Sequence, residues 1–136
     1  VGKGSEDQRL KKIARDYAVT DRVDFEGFKK DIIPYYLHAR VTILTSLYEG
    51  YPNVLIESIS MNTPVIAFDC PSGPNEIIID GRNGYLVKNQ DVEDLQKKML
   101  NFPYENFVYK DLVNSIKKNH IEKVIKQYED VINSFI

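Results

Sequence analysis

Short apolar runs alternate with amphipathic stretches along most of this chain. Short segments that contain β-branched and other apolar residues occupy about 22–26, 41–45, 65–68 and 85–87, and each has the length of a strand. Between these runs and after them, apolar residues recur at spacings of three and four, which is typical of amphipathic helices. Strands that alternate with helices indicate an α/β fold with a parallel sheet.

The helical spacing predicts where the first helices begin and end. Ser5 and Gln8 have the spacing of a capping box, and the helix that follows is expected over roughly residues 6 to 18. A short helix is expected over 31–39, with Pro34 tolerated because it lies in the first turn. The early part of the chain therefore contributes helices on either side of a predicted strand.

From about residue 91 to residue 136 the pattern is helical throughout, so we expect a C-terminal helical tail. Asp91 is its predicted N-cap, and breaks are expected near Pro103 and Asn119. The last helix carries one apolar stripe, formed by Ile121, Val124, Ile125, Tyr128, Val131, Ile132 and Phe135. Upstream, Asn62 is predicted to end a helix in the left-handed conformation, which Asn adopts more readily than most residues.

Candidate chemistry lies between the second predicted strand and the helix after it. Glu49 falls on the loop that leaves the strand, and Glu57 falls about one turn into a helix that Asn53 is expected to cap. Both carboxylates can therefore border a cleft at the carboxyl edge of the sheet. The backbone amides of residues 50–54 point into the same space, where the positive end of the helix dipole favours a phosphate.

Simpler structural roles also fit these residues. Glu49 and Glu57 could be ordinary helix-start carboxylates, each stabilised by about 0.3–1 kcal/mol through the dipole. Ser46, at the strand end, either donates a hydrogen bond to a phosphate or closes a turn, and the turn is slightly favoured. Glu76 either caps a neighbouring helix or contacts a ligand. The residues by themselves leave these alternatives open.

The neighbouring motifs add a family resemblance that covers nearly the whole chain in collinear order. The spacing of Glu49 and Glu57 resembles the E-x7-E pattern of the retaining glycosyltransferases of the group 1 superfamily (glycosyltransferase family 4-like), which have the GT-B fold. Four further segments match the same family: Val1-Gly2-Lys3-Gly4-Ser5, Val23-Asp24-Phe25-Glu26-Gly27-Phe28, Thr63-Pro64-Val65-Ile66-Ala67 and Asp80-Gly81-Arg82-Asn83-Gly84-Tyr85-Leu86-Val87. Together these segments are far more specific than any one of them.

The resemblance implies a fold and a set of roles. The chain would be the C-terminal half of a GT-B fold, a Rossmann-like parallel sheet flanked by helices. It would bind the donor of an enzyme that moves a sugar from a nucleotide-sugar to a glycan, a lipid-linked or another acceptor in polysaccharide or glycoconjugate biosynthesis. Glu49 would be the catalytic residue beside the donor sugar, and Glu57 would hold the ribose. The implied donor-binding set is Ser46, Gly50, Tyr51, Pro52, Asn53, Val54, Leu55, Glu57, Gly27, Phe28 and Lys30.

The same resemblance sets expectations for partners and cofactors. The donor would be a UDP- or GDP-sugar, which is the substrate, and neither a further cofactor nor a metal is expected. Residues 1–136 would form a single nucleotide-sugar-binding domain, truncated at its N-terminus, with an N-terminal acceptor domain missing. The fragment alone would then be inactive. The alternatives are a GT-B nucleotide-sugar epimerase and a nucleotide-sugar-binding module without transferase activity.

Composition excludes some other classes of protein. The 136 residues are 43% hydrophobic and 28% charged, which suits one globular domain with a real core. A net charge of −2 gives no electrostatic reason to expect nucleic acid. The single cysteine, Cys70, excludes an intrachain disulfide, so we expect a cytoplasmic location. A mildly basic tail after Gln96 fits either a solvated helical face or peripheral association with the inner face of a membrane.

Overall fold

The computed structural model describes residues 1–135, in which the chain forms two compact units. The first unit is Val1–Ile32 and the second is Ile33–Ile136. The second unit contains the sheet and most of the helices, and each unit is described below by itself.

The first unit is built around one helix, α1 (Asp7–Asp16), followed by a 3-10 turn at Thr20–Arg22. The predicted capping box is wrong, because the N-cap position is occupied by Glu6, which makes no side-chain capping hydrogen bond. Ser5 therefore lies one position too early to accept from the first amides of the helix. The helix start is acidic instead: Asp7, in its first turn, pairs with Lys11 at 2.8 Å.

The strand predicted at 22–26 is also absent from the described residues. Val23 has extended backbone angles (φ −128°, ψ 113°), but this segment pairs with no strand. Val23 and Phe25 favour extended backbone, whereas a strand also needs a neighbour whose backbone groups complete the hydrogen-bond ladder. Nearby, the Gly2 amide donates to the Gly27 carbonyl at 2.7 Å, which joins two irregular segments of this unit.

The second unit contains a parallel sheet of three strands in the order β1-β2-β3. They are β1 (Thr42–Leu44), β2 (Val65–Phe68) and β3 (Gly84–Val87). The central strand pairs in parallel with both neighbours, and all four of its residues are buried. The strands predicted at 41–45, 65–68 and 85–87 and the α/β fold class are thus confirmed. Continuous burial of β2 fits a strand that is covered on both faces.

Helices surround this sheet, and most of the predicted ones are present. Their bounds are α2 (Ile33–His38), α3 (Asn53–Ser60), α4 (Pro74–Ile77), α5 (Val92–Leu100), α6 (Tyr109–Ser115) and α7 (Ile121–Asn133), with 3-10 turns at Tyr104–Asn106 and Lys117–Asn119. The predicted N-cap Asp91 accepts from the Asp94 amide at 3.0 Å. Asn62 ends α3 with φ +66°, as its sequence position predicts. The two breaks expected in the tail are likewise confirmed.

The core lies on both faces of β2. Val65 and Ala67 face one hydrophobic cluster, and Ile66 and Phe68 face the other, as the two-residue period of a strand requires. The larger cluster consists of Leu55, Ile59, Val65, Ala67, Ile77, Ile78, Leu112 and Ile116. Full burial of one such aliphatic side chain stabilises the fold by about 1.5–3 kcal/mol. The helix that carries Glu57 is therefore anchored to the sheet through Leu55 and Ile59.

The turn into β3 is held by one buried polar side chain. The Asn83 amide group donates to the Ile77 carbonyl at 3.0 Å and to the Ser115 hydroxyl at 2.8 Å, and its oxygen accepts from the Ile79 amide at 2.8 Å. Gly84 follows because a Cβ there would lie 2.2 Å from the Val65 carbonyl oxygen. This segment of the Asp-Gly-Arg-Asn-Gly motif therefore joins α4, α6 and the sheet.

The apolar stripe of α7 is exposed to solvent. Six of its side chains are largely solvent-accessible: Ile121, Ile125, Tyr128, Val131, Ile132 and Phe135. Among residues 1–135, no helix is both long enough and apolar enough to cross a bilayer.

Candidate functional site

The predicted site is one loop and the helix that follows it. β1 ends at Leu44, the loop carries Ser46 and Glu49, and α3 begins at Asn53. Glu57 is the fifth residue of that helix. Since the loop leaves the carboxyl end of a parallel strand, it lies at the edge of the sheet where α/β folds bind ligands. The predicted residues from 46 to 57 therefore lie on this loop and in the first turns of α3.

Several backbone amides of this segment have no partner within the described part of the chain. The N–H groups of Gly50, Tyr51, Asn53 and Val54 donate to no backbone or side-chain group there. They occupy the loop and the first turn of α3, where the helix dipole is positive. A row of unpaired amides at a helix start is a ready binding site for an anion such as a phosphate.

Leu55 differs from the other predicted donor-binding residues. Its amide donates to the Pro52 carbonyl at 3.0 Å, and its side chain is fully buried in the core. Leu55 therefore anchors the helix and offers no polar group to a ligand.

The expectation that Asn53 caps α3 is wrong. Pro52 occupies the N-cap position, with φ −73° and ψ 88°, and makes no side-chain capping bond. Asn53 is the first helical residue, one position past the place from which a side chain reaches back to the first amides. Because no side chain covers these amides, they remain open to a ligand.

The loop is backed by a second turn at Gly73. This glycine has φ +86°, and a Cβ on it would lie 2.5 Å from both the Gly50 carbonyl oxygen and the Pro52 Cδ. Gly50 itself is different, because a Cβ there would meet nothing within 4 Å. The Pro-Ser-Gly-Pro segment thus supports the amide-bearing loop from behind, while Gly50 keeps one side of that loop open.

Glu57 is exposed on α3, and its carboxylate has one hydrogen-bond partner among the described residues. The Tyr36 hydroxyl, on α2, donates to its Oε2 at 3.0 Å, although Tyr36 itself is only 4% exposed. Burial and the neighbouring Glu57 carboxylate hold the pKa of Tyr36 well above its usual range, so the hydroxyl stays protonated. In the sequence, Tyr36 stands out only as part of an apolar helix face. A tyrosine on an apolar helix face does indicate a hydrogen bond, because a buried tyrosine hydroxyl normally needs a partner.

Glu49 contrasts with Glu57. It is half-buried on the loop, and its carboxylate forms no hydrogen bond or ion pair with any of residues 1–135. The Ser46 hydroxyl, also half-buried, has no partner within the same range. The two carboxylates of the E-x7-E pattern therefore have different environments, one held by a tyrosine and one unpartnered.

A cleft of about 510 Å³ opens beside this loop. It is lined by Tyr51, Glu76, Lys118, Asn119, Val124, Gln127, Tyr128 and Val131. The Asn119 amide donates to the Tyr51 hydroxyl, and the Lys118 ammonium donates to the Glu76 carbonyl. The turn between α6 and α7 thus contacts the loop that carries the unpaired amides.

Three predicted residues belong to the first unit. Gly27 has φ +64° and accepts from Gly2, whereas Phe28 is 76% exposed and Lys30 is exposed. Gly27 lines a cleft of about 290 Å³ in that unit, and neither Phe28 nor Lys30 does. An exposed aromatic ring is able to contact a base, and an exposed ammonium group is able to contact an anion.

Metal-ligating side chains are scattered in the part of the chain that the structure describes. Within it, no three or more His, Cys, Asp or Glu side chains are grouped so as to hold a metal ion. His38 bonds instead to the Pro34 carbonyl at 2.7 Å, and Cys70 is buried.

Comparison with known proteins gives a consistent family. The sequence model described as "Glycosyl transferases group 1" matches residues 1–123. The amylovoran biosynthesis glycosyltransferase AmsD of Erwinia amylovora is 32% identical over 137 residues, covering 98% of this chain and 38% of that protein. Among solved structures, the apo form of the lipopolysaccharide outer core galactosyltransferase WaaB superposes with a TM-score of 0.86 at 25% identity, covering 99% of this chain and 40% of that one.

A second solved structure was determined with ligands. The pneumococcal O-GlcNAc transferase GtfA in complex with UDP and GlcNAc has a TM-score of 0.60 at 25% identity, covering 98% of this chain and 25% of that one. The chain therefore spans less than half the length of each of these relatives.

Proposed function

This chain belongs to the family of group 1 glycosyl transferases, and we propose that it binds the nucleotide-sugar donor of a retaining enzyme. The observation that carries the proposal is the row of unpaired amides at the start of α3, between an unpartnered Glu49 and a tyrosine-held Glu57. The amides accommodate the diphosphate, Glu57 accepts from the ribose hydroxyls, and Glu49 contacts the sugar. Gly27, Phe28 and Lys30 contribute to binding of the nucleotide base.

In this scheme, catalysis depends on the loop amides, which stabilise the negative charge that develops on the leaving diphosphate. The bond between the anomeric carbon of the sugar and the diphosphate oxygen breaks, and a bond to the acceptor oxygen forms on the same face. The acceptor proton passes to the leaving diphosphate. Backbone amides aimed at the place where negative charge develops require little rearrangement during the reaction, which lowers its barrier. No step requires a metal, and Glu49 supports positive charge on the sugar without forming a covalent bond.

The family relatives support a glycan or glycoconjugate acceptor. One relative is named for amylovoran biosynthesis and another for the lipopolysaccharide outer core. The GtfA complex with UDP supports a UDP-sugar, and a GDP-sugar is the other donor to test. We further propose that the acceptor binds outside this chain, on a separate domain, and that the full-length protein acts in the cytoplasm at the inner face of the membrane.

Substitution of Glu49 separates a transferase from a binding module. An interaction that matters mainly in the transition state lowers turnover and leaves ground-state affinity nearly intact. In the full-length protein, Glu49→Ala should keep UDP or GDP affinity within a few fold but reduce sugar transfer by roughly 10²-fold or more. The measurements are calorimetric binding and the transfer rate with the cognate donor and acceptor.

Glu93→Ala is the matched control, because Glu93 is an exposed carboxylate in the first turn of α5. It should change neither quantity. Undiminished sugar transfer in Glu49→Ala would show that Glu49 has only a structural role. A wild-type protein that binds donor but transfers to no acceptor would favour a binding module without transferase activity.

A further inference from the structure

We propose that Tyr36 is a positioning residue, which fixes the Glu57 carboxylate in the orientation that receives the ribose. The inference rests on the proposed role of Glu57 and adds a residue that the resemblance to the family did not identify. Tyr36 acts through Glu57 and does not itself contact the nucleotide.

The contact between the two side chains leaves room for a ligand. The Tyr36 hydroxyl donates to Oε2 of Glu57 at 3.0 Å, and Glu57 has no other hydrogen bond or ion pair from its side chain to the described residues. An ionised carboxylate has about four lone-pair sites on its two oxygens. Oε1 and the remaining site on Oε2 are therefore available to accept from two adjacent ribose hydroxyls.

The backbone of Tyr36 is part of a polar network. Its backbone carbonyl accepts from the Thr63 hydroxyl at 2.6 Å. The Thr63 carbonyl accepts from the Ser58 hydroxyl at 2.9 Å, and the Ser58 and Thr42 hydroxyls share a hydrogen bond of 2.8 Å. Ser58 follows Glu57 directly in α3. This polar network thus ties α2, α3 and β1 together.

The hydroxyl is a dependable donor at neutral pH. Burial and the adjacent Glu57 carboxylate both raise the pKa of Tyr36, so ionisation does not compete with the hydrogen bond. In addition, Tyr36 is only 4% exposed, and its hydroxyl reaches the exposed carboxylate of Glu57. The contact therefore joins a buried side chain to one at the surface.

A fixed carboxylate binds more tightly than a mobile one. Glutamate is among the side chains with the largest rotamer entropy, and this entropy is lost when a ligand orders the side chain. If Tyr36 orders Glu57 beforehand, less is lost on binding. Removal of the hydroxyl should therefore weaken nucleoside diphosphate binding by about three- to tenfold, the range of a single hydrogen bond.

The test is a double-mutant cycle in the full-length protein. UDP and GDP are first titrated by calorimetry into wild type. The nucleotide that wild type binds more tightly is then titrated into Tyr36→Phe, Glu57→Ala and the double variant. Phenylalanine keeps the buried ring and removes only the hydroxyl. The 2′,3′-dideoxy form of the same nucleotide, which has no ribose hydroxyls, is titrated in parallel. Tyr109→Phe, at the exposed start of α6, is the matched control.

We expect Tyr36→Phe to weaken the ribonucleotide three- to tenfold, to leave dideoxynucleotide binding unchanged, and to have no effect once Glu57 is alanine. Retained dideoxynucleotide binding also reports that the variant is folded. Equal losses for both ligands, or a loss that persists without Glu57, would show a general structural role and overturn the inference.

Two further outcomes separate this inference from the proposed function. If Glu57→Ala weakens the ribonucleotide and Tyr36→Phe does not, Tyr36 has no positioning role while the proposed function stands. If Glu57→Ala leaves ribonucleotide affinity unchanged, the ribose assignment of Glu57 fails, and the role of Tyr36 fails with it.

Discussion

At the scale of single residues, the site is defined by which polar groups have protein partners and which do not. The amides of Gly50, Tyr51, Asn53 and Val54 are unpaired among the described residues, whereas the Leu55 amide bonds to Pro52. The sequence predicts the place of such groups, because a glycine turn before a helix leaves amides unpaired. It does not predict the partner of Glu57, because Tyr36 is brought there by tertiary packing 21 residues away.

Gly50 provides a clean test of the diphosphate site. A Cβ at this position would meet no protein atom within 4 Å, so Gly50→Val should fold normally. The added side chain should nevertheless obstruct the approach of a diphosphate to the loop amides, and so reduce its binding. Calorimetry should show that UDP or GDP loses about tenfold or more in affinity while the free nucleoside changes little.

The nucleoside serves as the internal control in this experiment. Equal losses for nucleoside and nucleoside diphosphate would mean that the added valine side chain disturbs the whole site and not the phosphates alone. Unchanged binding of both ligands would show that the diphosphate does not bind at this loop.

At the scale of elements, the sequence predicts periodic segments better than their ends. The three strands of the sheet follow from apolar runs, since a buried parallel strand needs a continuous apolar sequence. The caps expected from Ser5 and Asn53 were wrong by one position each, because a cap depends on the local backbone angles and not only on residue type. The strand expected at 22–26 failed because strand formation needs a pairing partner that sequence periodicity does not reveal.

Asn83 tests how the elements of the second unit are joined. Its side chain is fully buried and bonds to Ile77, Ile79 and Ser115. Asn83→Ala should lower the free energy of unfolding by about 2–4 kcal/mol, because it leaves buried partners without hydrogen bonds. Denaturant unfolding is the measurement, and Asn101→Ala is the control.

Asn101 carries an exposed amide that makes a single hydrogen bond, to the Lys97 carbonyl at the end of α5. Asn101→Ala should therefore lower the free energy of unfolding by well under half as much as Asn83→Ala. Similar stability changes for the two variants would mean that the Asn83 network does not hold the second unit together.

At the scale of the whole molecule, the chain spans less than half the length of each of the three relatives named above. The second unit packs a hydrophobic cluster on each face of β2, and α7 exposes an apolar stripe. Motifs spread along the chain predict a GT-B fold, and the family match over residues 1–123 and the WaaB superposition confirm it. Fold and family are thus predictable from sequence, whereas the side-chain types in these motifs do not specify the donor, the acceptor or the linkage.

The central proposal is that Glu57 binds the ribose of a nucleoside diphosphate and that the loop amides bind its phosphates. Its most direct test is calorimetric titration of the full-length protein with UDP and with GDP, in wild type and in Glu57→Gln. Hydrogen bonds to a charged acceptor are the stronger kind, so Glu57→Gln should weaken binding by about 1–3 kcal/mol. Wild type and Glu57→Gln with the same affinity, or a wild type that binds neither nucleotide, would contradict the account.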